Sequence, residues 1–162
     1  MVKGFSRTQI ALHWTVAVLI LYNLLLSDDM TALWRQVQQG TATPTTTSAW
    51  IHIIVGSLVL ALVVWRLVLR FTRGVPTESE GEIAALKLAG QAGHVALYGL
   101  MIAMPVTGLL VWFGGVTALA DLHGELLKTL LWVVIGLHVL AALYHQFILK
   151  DGLLNRMRKP LD

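Results

Sequence analysis

Six histidines stand in a chain without cysteine. Five of them, His13, His52, His94, His138 and His145, lie within or at the ends of long apolar segments, and His123 opens another. Neutral imidazole is the commonest protein ligand for transition metals and is a ligand of haem iron. An ionisable side chain inside a bilayer is costly, so one placed there is read as functional. A lone intramembrane histidine is equally well explained by a hydrogen bond across a helix interface. That explanation is poor for six of them spread over four segments. Three also have small neighbours one turn on, Ala17 after His13, Gly56 after His52, and Ala141 with Ala142 after His138. Such spacing lets a flat porphyrin approach the backbones, although small residues also serve plain helix packing. The missing cysteines exclude disulfides, iron–sulfur clusters and covalently attached c-type haem, so any haem is held by axial ligands and packing alone.

The elements that must position these side chains are membrane spans. Of the 162 residues 56% are hydrophobic and 13% charged, against roughly 25% charged in an average soluble domain. Uncharged stretches cover 8–27, 36–65, 88–120 and 129–149, each at or above the roughly 20 residues that cross the hydrocarbon as a helix. The fold class expected is all-α, an integral membrane four-helix bundle forming a single domain over 1–162, with spans at 8–27, 49–71, 88–113 and 121–149. The first segment is expected to be retained, because Ser27-Asp28-Asp29 lacks the small-x-small pattern of a cleaved signal. Ser6 or Thr8 caps it, the polar stretch from Asp28 to Ser48 reads as an external loop, and Pro76 with Glu78, Glu80 and Glu82 reads as an internal one. Pro105 and Gly108 predict a kink in the third span.

Orientation follows from the cations. Lys3, Arg7, Arg66, Arg70, Arg73, Lys87, Lys150, Arg156, Arg158 and Lys159 flank one side, and only Arg35 and Lys128 the other. This places both termini in the cytoplasm. The net charge of +3 is then a topological bias, and no nucleic-acid partner is expected from it.

Depth leaves the pairing of histidines open. At about 1.5 Å per residue, His13 lies about 9 Å beyond Arg7 and His145 about 7.5 Å from Lys150. His52 lies about 21 Å above Arg66 and His138 about 18 Å above Lys150. That would pair His13 with His145 and His52 with His138. The two ligands of the last span would then be only about 10.5 Å apart, which crowds two macrocycles. The alternative pairs His52 with His123 and His13 with His138, whose span-four members are about 22.5 Å apart. Fifteen residues at about 100° each turn the second by about 60° from the first, an offset that a π-bulge or kink would correct.

An ordered set of motifs resembles the bacterial cytochrome b561 family over essentially the whole chain. It comprises Ser6-Arg7-Thr8-Gln9-Ile10-Ala11-Leu12-His13-Trp14, His52-Ile53-Ile54-Val55-Gly56, Trp65-Arg66-Leu67, Gly93-His94 and Pro105-Val106-Thr107-Gly108. His123-Gly124-Glu125, then Gly136 to His145, and the exit Lys150-Asp151-Gly152-Leu153-Leu154 complete it. The resemblance implies two b-type haems, each held between two imidazoles, with His13, His52, His123 and His138 as axial ligands. The family usually separates the two ligands of the last span by fourteen residues, and this chain has fifteen. His94 and His145 then remain for haem propionates, quinone or proton handling, or packing, and Arg7, Arg66 and Arg70 for propionates or lipid phosphate. The function implied is electron transfer in the bacterial inner membrane from a periplasmic donor, superoxide or a redox protein, to ubiquinone. Alternatives are a cytochrome b subunit docked to a dehydrogenase or hydrogenase, a histidine-lined metal-ion transporter, and a plain membrane anchor. No acid lies mid-span, which argues against the transporter; the anchor leaves the histidines unexplained.

Overall fold

A computed structural model describes residues 4–26, 28–42, 46–76 and 84–160. The expected internal-loop residues Glu78, Glu80 and Glu82, and Thr43, Pro44 and Thr45 of the external stretch, lie outside the described residues. Four helical segments are long and apolar enough to cross a membrane, Arg7–Leu25, Thr47–Arg73, Ala84–Trp112 and Thr117–Leu149. The first three are α1, α3 and α4; the fourth is composite. It runs through a 3-10 turn (Thr117–Leu119), a π-helical turn (Leu122–Leu127), α5 (Lys128–Tyr144) and a second π-helical turn (His145–Leu149).

Ser6 caps α1 in a reciprocal box: its hydroxyl accepts from the Gln9 amide at 3.3 Å, and the Gln9 side chain accepts from the Ser6 amide at 3.0 Å. Gln9 also donates to the carbonyl of Gly74 at 3.2 Å, which ties the start of α1 to the end of α3. Thr46 caps α3 through the Ala49 amide at 3.3 Å. The polar stretch expected as a loop instead contains a helix, α2 (Asp28–Gln38), with Leu33 buried. Met30, Leu33, Trp34 and Val37 recur at three- and four-residue steps, a one-sided pattern that stabilises a helix lying on the bundle end. Trp34 packs on Trp112 with ring centres 6.1 Å apart.

Pro105 stands inside α4 and the helix continues through it. The Thr107 hydroxyl bonds back to the Ala103 carbonyl at 2.7 Å, and lies 2.9 Å from the Met104 carbonyl. These bonds satisfy the hydroxyl within the helical turn around the proline. In the bundle α1 packs on α3, α3 on α4 and α4 on the fourth segment. Val16, Ile20, Leu24, Val59, Val63, Met101 and Leu131 form its buried core. Large side chains such as Val18, Phe71, Val95, Leu140 and Phe147 are exposed, as a surface facing lipid requires.

Candidate functional site

On the fourth segment Leu131 lies between His123 and His138, and on α3 Val59 and Val63 lie between His52 and Arg66. The core therefore separates two histidine clusters. At the α2 end, His52 of α3 and His123 of the fourth segment face each other with ring centres 6.2 Å apart. At the end carrying both termini, His13 of α1 and His138 of α5 also stand 6.2 Å apart, and His94 of α4 approaches His138 at 5.6 Å. The observed facing pairs are thus His52 with His123 and His13 with His138.

The 6.2 Å spacing has chemical content. Two imidazoles bound through nitrogen at about 2 Å to opposite sides of one metal ion have ring centres roughly 6 Å apart. At the α2 end the His123 ring is also oriented as an iron ligand requires. The His123 Nδ1–H donates to the Met104 carbonyl at 2.8 Å, with the Thr107 oxygen at 3.2 Å. A proton fixed on Nδ1 leaves the Nε2 lone pair for metal. A cavity of about 360 Å³ opens beside the pair, lined by Asn23, Gly56, Met101, Met104 and Leu131 among others. Gly108 clears room for the ring, since a Cβ there would lie 2.9 Å from His123 Cε1. The Asn23 amide donates to the His52 carbonyl at 3.2 Å, while its Oδ1 is buried without a partner. These residues fit a haem.

The other cluster fits less directly. Arg66 donates from Nη2 to His13 Nδ1 at 3.0 Å, which puts the proton of a neutral ring on Nε2, the nitrogen an iron would need. A metal at His13 therefore requires Arg66 to leave and the ring proton to move to Nδ1. Arg66 and Arg70 already lie near the Tyr98 ring, at 5.8 and 5.9 Å from its centre. Arg7 is exposed at the start of α1. His145 Nδ1 meets the Asp151 carboxylate at 2.5 Å.

Asn23, Thr107, the Met104 carbonyl, Tyr98 and the pairing of Asp151 with His145 were not visible as site features in the sequence. Thr107, Gly108 and Asp151 belong to the motifs, but their contacts run between segments or across an irregular turn. Asn23 carried a usable signal, a polar amide in an uncharged span.

The family model for prokaryotic cytochrome b561 matches residues 4–160. A protein named cytochrome b562 from Cereibacter sphaeroides is 35% identical over 159 residues, covering 97% of this chain and 96% of that protein. A probable superoxide oxidase CybB from Yersinia pestis is 28% identical over 178 aligned positions, covering 96% of each. Cytochrome b561 homolog 2 of Escherichia coli is 32% identical over 128 residues, covering 66% of this chain and 68% of that protein.

Proposed function

Because the chain belongs to the prokaryotic cytochrome b561 family and is thus a multi-pass, haem-dependent electron-transport protein, we propose that it carries electrons through two haems from a periplasmic donor to ubiquinone in the inner membrane. The observation that carries this reading is the pair of facing imidazoles at 6.2 Å on either side of the apolar core. In this reading the whole chain, 1–162, is one transmembrane cytochrome domain with both termini in the cytoplasm. Superoxide is the donor favoured by the likeness to a probable superoxide oxidase.

Haem b, when bound, would supply one-electron exchange at iron, and it would be held by one imidazole from each of two facing segments. His52 and His123 hold the outer haem, and His13 and His138 the inner one. Met104 and Thr107 keep the His123 proton on Nδ1 and so aim Nε2. Arg66, which donates to His13 Nδ1 in this structure, would be the guanidinium available to a propionate carboxylate, the planar partner it matches best; Arg7 stays at the headgroups. His94 and His145 handle quinone and protons at the cytoplasmic end. The core side chains between the two levels exclude water, so electrons cross without a proton leak.

The test is an ultraviolet–visible spectrum of the purified protein, oxidised and dithionite-reduced, with haem quantified per chain. A reduced b-type α band and two haems per chain are expected. His52→Ala should lose one haem and His145→Ala none. No α band would sink the reading, and a His123→Ala protein retaining both haems would overturn the ligand assignment.

A further inference from the structure

The second π-helical turn, His145–Leu149, ends the last span in an unusual way. Lys150 and Gly152 both adopt left-handed backbone, at φ 54° and 74°. A lysine is strained there, and the two reversals bring Asp151 back over the residue six positions earlier. Its Oδ2 meets His145 Nδ1 at 2.5 Å, and its Oδ1 accepts the Leu153 amide at 3.0 Å. Both side chains are mostly shielded, at 12% and 16% exposure. Burial raises the pKa of the Asp151 carboxyl, but the bonds from His145 and Leu153 and the charges of His145 and Arg156 more than offset it and leave it below the ordinary value. Asp151 is therefore ionised at neutral pH and can only accept, so Nδ1 of His145 must donate.

The turn is also fastened to the inner cluster. The Trp14 indole donates to the Met157 carbonyl at 3.0 Å, beside His13. His145 follows His138 by seven residues, about 10.5 Å along the axis and about 20° from the same face. Tyr144 of α5 stands beside it with ring centres 6.3 Å apart, Asp151 of the connecting turn meets its Nδ1, and Arg156 of the terminal helix α6 (Leu153–Arg156) bears on the Asp151 carboxylate.

We propose that Asp151 is the positioning residue for a proton-donating His145: the carboxylate fixes the imidazole with Nδ1–H toward itself, so that Nε2 passes protons from water at this end to a quinone. The inference rests on the quinone reading above. Reduction of a quinone to quinol consumes two electrons and two protons. In each transfer the Nε2–H bond of the imidazolium breaks and an O–H bond forms on a quinone oxygen. The neutral ring stays held through Nδ1–H, regains a proton from water, and repeats the transfer once per quinol. A carboxylate orienting a histidine and stabilising its cation in this way is a general device of proton-transferring sites.

The test uses the haem-loaded protein in vesicles containing ubiquinone, with donor added outside, Asp151→Asn and Asp151→Glu as variants, and a pH indicator trapped inside. The expected result for Asp151→Asn is unchanged haem content and unchanged haem reduction by the donor. Quinol formation and internal alkalinisation should both fall at least tenfold, with an altered pH profile, and Asp151→Glu should restore most of the rate. Redox-difference infrared spectra of histidine-labelled protein should also lose an imidazole signal in Asp151→Asn. If unaltered protein forms no quinol although its haems are reduced, the quinone reading fails and the role of Asp151 with it. If unaltered protein forms quinol and Asp151→Asn matches it in rate and pH profile, the role of Asp151 alone is overturned.

Discussion

Gly108 is the residue at which space, more than chemistry, governs the outer site. A Cβ there would approach His123 Cε1 to 2.9 Å, Nδ1 to 3.3 Å and Nε2 to 3.4 Å. The ring cannot retreat cheaply, because Nδ1 is held by the Met104 carbonyl of the same helix at 2.8 Å. Alanine is otherwise the better helix former by about 1 kcal/mol, so Gly108→Ala should not weaken α4 itself. The expected outcome is a folded protein with one haem per chain in place of two, measured by pyridine haemochrome assay against chain concentration. Gly99→Ala, where no atom lies within 4 Å of the added Cβ, is the control and should retain two. A Gly108→Ala protein with two haems would show that His123 has another resting place.

At the scale of elements, the decisive feature is the π-helical turn Leu122–Leu127, which contains His123. Fifteen α-helical residues would carry His138 about 60° past four full turns from His123. A π turn absorbs one residue, so the step behaves as fourteen and falls about 40° short. That is the phase of the fourteen-residue spacing usual in the family, reached by a longer chain. Deleting Leu126, which is exposed, should convert the π turn to α-helix and leave both haems bound. Inserting one alanine after Leu127 should swing His123 by about 100° and cost the outer haem; the spectrum of each protein decides. The spans and the histidines were legible because uncharged length and costly side chains leave marks in any sequence. The helix α2 was not, because the threonines and glycine around it outweighed its four apolar positions. The His145–Asp151 pair was hidden for a different reason: it depends on a π turn and a left-handed lysine, neither of which has a residue signature as strong as glycine or proline.

On the scale of the whole molecule, the charges are distributed with the proposed direction of electron flow. The end bearing both termini is basic, and the mouth of the cavity beside His52 and His123 is lined by two residues of each sign, Arg35 and Lys128 against Asp121 and Glu125. With two charges of each sign at the mouth, the rate for an approaching superoxide anion is set by the nearest single charges. At about 10 Å in water one unit charge is worth about 0.4 kcal/mol. Lys128→Glu changes the local charge by two, about 0.8 kcal/mol, and should slow haem reduction by superoxide about fourfold at low salt. Glu125→Gln changes it by one in the opposite sense and should quicken the reaction about twofold. Both effects should shrink towards nothing near 1 M salt, where the screening length is about 3 Å. Stopped-flow traces of haem reduction at two ionic strengths provide the measurement. Equal rates for the unaltered protein and both variants at low salt would mean that electrons enter elsewhere, or from a donor without charge.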